Sequence, residues 1–179
     1  MQSPELSQNY FELFGLNPVF DIDLSALHAA QQRLQASFHP DRHVGSSDLD
    51  KRLSVQVASR VNQAFETLRD PVKRSRYLLE LNGASLPDDS ATTSDTEFLM
   101  EQIDLREEVE SCRQGEDALE RSEKIESRLT HRAHQLAHDF VEHFDTGNID
   151  AAIDSSRKMQ FIQRIQQQLS ELQFELEAD

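Results

Sequence analysis

Apolar positions recur three and four residues apart through most of the chain, and this period predicts helices almost throughout. Leu24, Leu27, Leu34 and Phe38 form one buried seam; Leu53, Val57, Val61, Ala64, Phe65 and Leu68 form a second. Asp23 is placed to cap the first of these helices, and Pro40 disfavours helical geometry at His39, so that helix stops there. The polar stretch DRHVGSSD then turns the chain, Asp48 or Ser47 can cap the second helix, and the two helices can pack antiparallel. Short helices flank the pair. NYFELF at residues 9–14 covers one side of a turn or two before Gly15, and Asp70-Pro71 opens another that runs through Tyr77, Leu78, Leu79 and Leu81 to Gly83.

The pattern breaks at residues 82–95, NGASLPDDSATTSD, which are small, polar and acidic and read as a linker. Beyond it the helical period returns three times. Ser94 with Glu97 suggests a capping box for a helix reaching about Arg113, with Gly115 after it. Ile125, Leu129, Ala133, Leu136, Phe140 and Phe144 stripe a helix over 116–144. A turn at Thr146-Gly147-Asn148 precedes a last helix to about Glu177, seamed by Ile162, Ile165, Leu169, Leu172 and Leu176. Three helices joined by short turns make an antiparallel bundle. The expected fold class is all-α: an antiparallel hairpin with short flanking helices, then a three-helix bundle.

The helix after the linker has a second apolar face. At about 100° per residue, Phe98, Leu105, Val109 and Cys112 fall within roughly 40° of one line, and these can form the bundle seam. Leu99, Met100, Ile103 and Glu107 point roughly 100° to 200° away from it. Three apolar side chains beside carboxylates, on a face the bundle cannot easily bury, suggest a partner surface. Leu99 and Ile103 could instead pack on the first domain. Phe161 lies about 60° off its own helix's seam and can also reach the surface.

Composition agrees with helix and narrows the chemistry. There are five Gly, five Pro and no Trp, and charged residues make up 28%. The net charge of −15 argues against a nucleic-acid partner. Its distribution is uneven: residues 1–81 hold 9 Lys+Arg against 10 Asp+Glu, net −1, and residues 82–179 hold 9 against 23, net −14. Halves of such different charge imply different partners. No apolar stretch approaches the roughly 18 residues that span a bilayer, and the start MQSPELSQNY lacks the character of a targeting segment, so a cytoplasmic location is expected. The single Cys112 excludes an internal disulfide and reads as a small core residue.

Four segments in this order and spacing resemble the J-domain of DnaJ-type co-chaperones: NYFELFGL, a helix ending in FHPDR, NQAFETLRDP, and PVKRSRYLL. DTEFLMEQIDLREEVE and RKMQFIQRI are in turn similar to the C-terminal domain of HscB, the J-protein of iron-sulfur cluster assembly. The resemblance implies a J-domain over 1–81, a linker over 82–95 and a scaffold-binding bundle over 96–179. It implies a co-chaperone with no active site and no cofactor of its own. The J-domain would dock on a DnaK-type chaperone, HscA, through His39, Pro40 and Asp41 with Arg33 and Arg42, and stimulate its ATPase. The bundle would hold the scaffold IscU through Leu99, Met100, Ile103, Asp104, Glu107 and Phe161.

The residues give these roles a physical basis. Pro40 fixes the backbone at the helix end, Asp41 can accept a charge-assisted hydrogen bond from an arginine, and His39 can donate or accept. Many J-domains carry several Lys or Arg on the second helix. This one carries Arg33, with Arg42 and His43 just past it; Arg52, Arg60, Lys73, Arg74 and Arg76 come later, expected as solvated helix faces. His131, His134 and His138 stand at metal-ligand spacing on a helix, yet no third-ligand motif accompanies them and surface histidines are expected. Some HscB relatives carry paired cysteines near the N-terminus; this chain has none, so no zinc is expected there. The alternative function is a general J-protein whose acidic bundle associates with itself or holds clients.

Overall fold

The computed structural model describes residues 7–38, 48–86, 95–113 and 117–178, and every regular element among them is helical. In chain order these are α1 (Tyr10–Phe14), α2 (Leu24–Phe38), α3 (Asp48–Arg69), α4 (Pro71–Leu81), α5 (Thr96–Ser111), α6 (Ala118–Asp145) and α7 (Ile149–Ala178). The chain divides into two compact units, residues 1–78 and 79–179.

In the first unit, α1 is too short to persist on propensity, and its ends are closed instead. The Asn9 side chain accepts from the Glu12 amide and the Glu12 carboxylate accepts from the Asn9 amide, both at 2.9 Å. Gly15, at φ 68°, ends the helix by donating to the Glu12 carbonyl at 3.0 Å. Phe11, Leu13 and Phe14 are buried beneath it. Tyr77 holds the other side: its hydroxyl accepts from the Tyr10 amide at 2.9 Å and its ring stacks on Tyr10 at 4.4 Å.

The hairpin of α2 and α3 is antiparallel, because His28 meets Phe65 edge-on at 4.9 Å while Gln35 donates to Asn62 at 3.0 Å. Asp23 caps α2 by accepting from the Ser25 and Ala26 amides at 2.8 and 3.1 Å. Leu27, Ala30, Val57, Val61, Ala64, Phe65 and Leu68 are buried. Leu24 departs from the expected seam and is 47% exposed. It is the first residue of α2, opposite the end of α3, where the apolar stripe runs out at Leu68. Leu53 is half-buried and the neighbouring Ser54 goes inside, its hydroxyl donating to the Asp50 carbonyl at 3.0 Å.

Arg74, expected on a solvated face, is 7% exposed. Asp70 caps α4 by accepting from the Val72 and Lys73 amides at 2.8 and 3.0 Å, and it alone separates α3 from α4. That corner brings Arg74 against the Leu68 carbonyl, one of the last in α3, which has no partner within the helix. The guanidinium donates to this carbonyl and lies over the Phe20 ring at 4.8 Å. Burial pulls its pKa below the ordinary value, against the raising influence of Asp21 and Asp70. Arg60 is half-buried, over Tyr10 at 5.3 Å.

The second unit contains a three-helix bundle. The order of its contacts fixes the directions: Gln173 donates to Glu126 across α7 and α6, and Glu101 and Glu108 of α5 pair with Arg132 and Arg128 of α6. Both pairings run antiparallel, which leaves α5 parallel to α7. Ile125, Leu129, Leu136 and Phe140 of α6 and Met159, Ile162, Ile165, Leu169 and Leu172 of α7 are buried. Ala133 and Phe144 of the expected stripe are half-buried. Gly147, at φ 75°, turns the chain between α6 and α7. Among the described residues no helix is long and apolar enough to cross a membrane.

Candidate functional site

α5 begins one residue later than its capping-box motif suggests. Ser94 lies outside the described residues, and the cap is Asp95, whose Oδ1 accepts from the Phe98 amide at 3.0 Å. The other carboxylate oxygen accepts from Lys158 of α7 at 2.6 Å. One aspartate can thus serve both helices, which a serine hydroxyl could not do as an ion-pair partner. The Lys158 hydrogen bond, with that of the Phe98 amide, holds the Asp95 carboxyl below the ordinary carboxylate value. Burial pulls the Lys158 ammonium down, yet Asp95 and Asp154 together outweigh it and the net shift is upward.

From this start the helix turns Phe98, Leu105, Val109 and Cys112 inward, and all four are buried. They are the four that helical geometry places on one line. Leu99 is half-buried, Met100 is 62% exposed and Ile103 is 53% exposed. Asp104 and Glu107 are exposed beside them. Phe161 of α7 is half-buried, its ring edge-on to Phe98 at 5.6 Å and 82°. Every residue expected to contact the scaffold is therefore at least partly accessible.

Two cations belong to this neighbourhood although the apolar pattern does not mark them. Arg106 lies over the Phe161 ring at 5.5 Å, and Lys158 lies over Phe98 at 5.4 Å. Arg106 stands seven residues after Leu99 and three after Ile103, a spacing that puts it on their side of the helix. Lys158 stands three before Phe161 in the same helix. These spacings were the available signals. The flank toward α6 is closed by a two-pronged pair of Arg132 with Glu101, at 2.9 and 3.0 Å, and by Arg128 with Glu108 at 3.0 Å.

Of the residues expected to meet a chaperone, Arg33 is exposed on α2. His39, Pro40, Asp41 and Arg42 lie outside the described residues, between the end of α2 at Phe38 and the start of α3 at Asp48. His131, His134 and His138 are exposed, and His131 shares a 3.0 Å hydrogen bond with Gln135. No cluster of three or more potential metal ligands occurs among the described residues.

Residues 94–170 match the family described as the HSCB C-terminal oligomerisation domain. The co-chaperone protein HscB homolog of Shewanella pealeana is 37% identical over 169 residues, covering 92% of this chain and 97% of that protein. The chain belongs to the HscB co-chaperone family. The HscB homolog of an Azoarcus species is 39% identical over 168 residues, covering 93% of this chain and 94% of its own. Among solved structures, chaperone HscB from Vibrio cholerae superposes with a TM-score of 0.85 at 34% identity, over 94% of this chain and 99% of its own. The likeness to HscB spans both units, and the exposed apolar strip of α5 lies within the matched C-terminal family domain.

Proposed function

We propose that this HscB family member is a two-ended adaptor of iron-sulfur cluster assembly. Its J-domain, residues 1–81, stimulates the ATPase of the DnaK-type chaperone HscA. Its bundle, residues 96–179, delivers the scaffold IscU to that chaperone. Catalysis stays in the partner. At the first end, His39, Pro40 and Asp41 stand in sequence between the antiparallel helices α2 and α3. Pro40 limits the entropy lost on docking, Asp41 offers an arginine of the ATPase a charge-assisted acceptor, and Arg33 and Arg42 add the cations that speed approach to an acidic surface.

The single observation that carries the second end is the strip formed by Leu99, Met100 and Ile103, with Phe161 at its edge and Asp104 and Glu107 alongside. An apolar centre rimmed by carboxylates fits a partner patch that is apolar with cations around it. We expect Leu99→Ala, Ile103→Ala and Phe161→Ala each to weaken IscU binding by about tenfold, while ATPase stimulation without scaffold is retained. Titration calorimetry against purified IscU checks this; unchanged affinity in all three variants contradicts the adaptor reading.

A second reading has one observation behind it, the description of the matching C-terminal family as an oligomerisation domain. The same strip would then join copies of the chain, as in a general J-protein with a self-associating bundle. Sedimentation velocity separates the two. A dimer that Ile103→Ala disperses, with IscU affinity unmoved, favours self-association; a monomer that binds IscU favours the adaptor.

A further inference from the structure

The strip on α5 needs a fixed register against Phe161 of α7, and little apolar packing supplies it. Between Thr96 and Asp104 the only buried side chain is Phe98; the next is Leu105. Leu99, Met100 and Ile103 all belong to this stretch. Lys158 also ties the first turn of this stretch to α7: its ammonium sits 2.6 Å from Asp95 and 2.9 Å from Asp154. The side chain is only 16% exposed, far less than the usual surface lysine, and it lies over the Phe98 ring at 5.4 Å. Asp95 is in turn the cap of α5. A single ammonium therefore joins the helix start, the one inward-facing aromatic of that stretch, and the helix that carries Phe161.

We propose that Lys158 is a positioning residue for scaffold docking: by fastening Asp95 to Asp154 it locks the first turn of α5 onto α7 and holds Leu99, Met100 and Ile103 in register with Phe161. Lys158 itself need not touch the partner. The proposal rests on the reading of this strip as the scaffold-binding surface, and it adds that the surface is pre-organised by a half-buried ion pair. Pre-organisation lowers the ordering cost of binding, so loosening the first turn weakens affinity without removing any contact residue. An ion pair to α7 just past the end of α5, Arg113 with Glu175, is far more exposed, at 50% and 63%, where screening leaves such pairs little effect.

The test uses the full-length chain and purified IscU. Lys158→Met keeps the apolar stem over Phe98 and removes the ammonium; Lys158→Arg keeps the charge; Asp95→Asn keeps a capping side chain and removes the carboxylate. IscU affinity by calorimetry is read together with amide hydrogen exchange across α5, α6 and α7, with Ile103→Ala as the control for the strip. The expected result is an affinity loss of about tenfold in Lys158→Met and Asp95→Asn, most of it restored in Lys158→Arg. Faster exchange should be confined to the first two turns of α5. Wild-type affinity in Lys158→Met, with Ile103→Ala impaired, overturns the positioning role and leaves the strip reading intact. Faster exchange spread equally through α6 and α7 overturns it too, by showing a general structural role. If Leu99→Ala, Ile103→Ala and Phe161→Ala all bind normally, the strip reading itself fails and the inference falls with it.

Discussion

Arg74 gathers three parts of the first unit at one point: the end of α3 through the Leu68 carbonyl, the loop before α2 through Phe20, and its own helix α4. A buried hydrogen bond from a charged donor contributes roughly 1.5–3 kcal/mol, so Arg74→Met should lower unfolding stability by about 2 kcal/mol. A shift of the urea midpoint at constant slope checks this, and an unmoved midpoint contradicts it. For His39 and Asp41 the expectation is opposite in kind. His39→Gln and Asp41→Asn should leave the helical circular dichroism unchanged and remove most ATPase stimulation; normal stimulation by either variant sinks the J-domain reading. Both kinds of residue show what a sequence can carry. His39, Pro40 and Asp41 stand out because their order and neighbours match a motif. Arg74 does not, since a polar residue on a helix reads as solvated until the α3–α4 corner places a bare carbonyl in front of it.

At the scale of the element, α5 is a polar helix held to α6 and α7 by three buried side chains, by Cys112 just past its end, and by a rim of ion pairs. Asp95 has its pKa depressed by Lys158 and the Phe98 amide, so its stabilising effect is fully present above the ordinary carboxylate pKa of about 3.9. It is lost only as pH falls through the lower folded value. Lys158 is raised, so its contribution is complete below about 10.4 and fades as pH climbs through its folded value. The tie should therefore survive the whole range between. A carboxyl-carbon NMR titration in which Asp95 has its midpoint below that of an unstructured aspartate bears this out; an ordinary midpoint contradicts it. The inward line of α5 was legible because helical pitch alone places Phe98, Leu105, Val109 and Cys112 together. Its true start was not. The motif Ser94-x-x-Glu97 is local, whereas the choice of Asp95 depends on Lys158, 63 residues away in sequence.

At the scale of the whole molecule, charge divides the chain much as the two compact units do. Residues 1–81 are nearly neutral and residues 82–179 carry a net −14, so the two ends suit partners of different electrostatics. The acidic half presents apolar side chains between carboxylates, and approach of a scaffold that meets them with cations should slow as salt rises. Stopped-flow association with IscU at increasing salt should show a falling on-rate with a smaller change in off-rate; a salt-independent on-rate contradicts electrostatic approach. The helices were legible in the apolar period, as was most of the second hairpin seam, and the exposure of Met100 and Ile103 in helical pitch. Of the first seam Leu27 is buried, Leu34 and Phe38 are half-buried and Leu24 is exposed. If one chain brings a scaffold to an ATPase, steady-state ATP hydrolysis by purified HscA, measured with this protein, with IscU, and with both, shows it. Stimulation by both together should stand well above the sum of the two alone, be abolished by Asp41→Asn and be reduced by Ile103→Ala. Rates that merely add, or that ignore both substitutions, would contradict a two-ended adaptor.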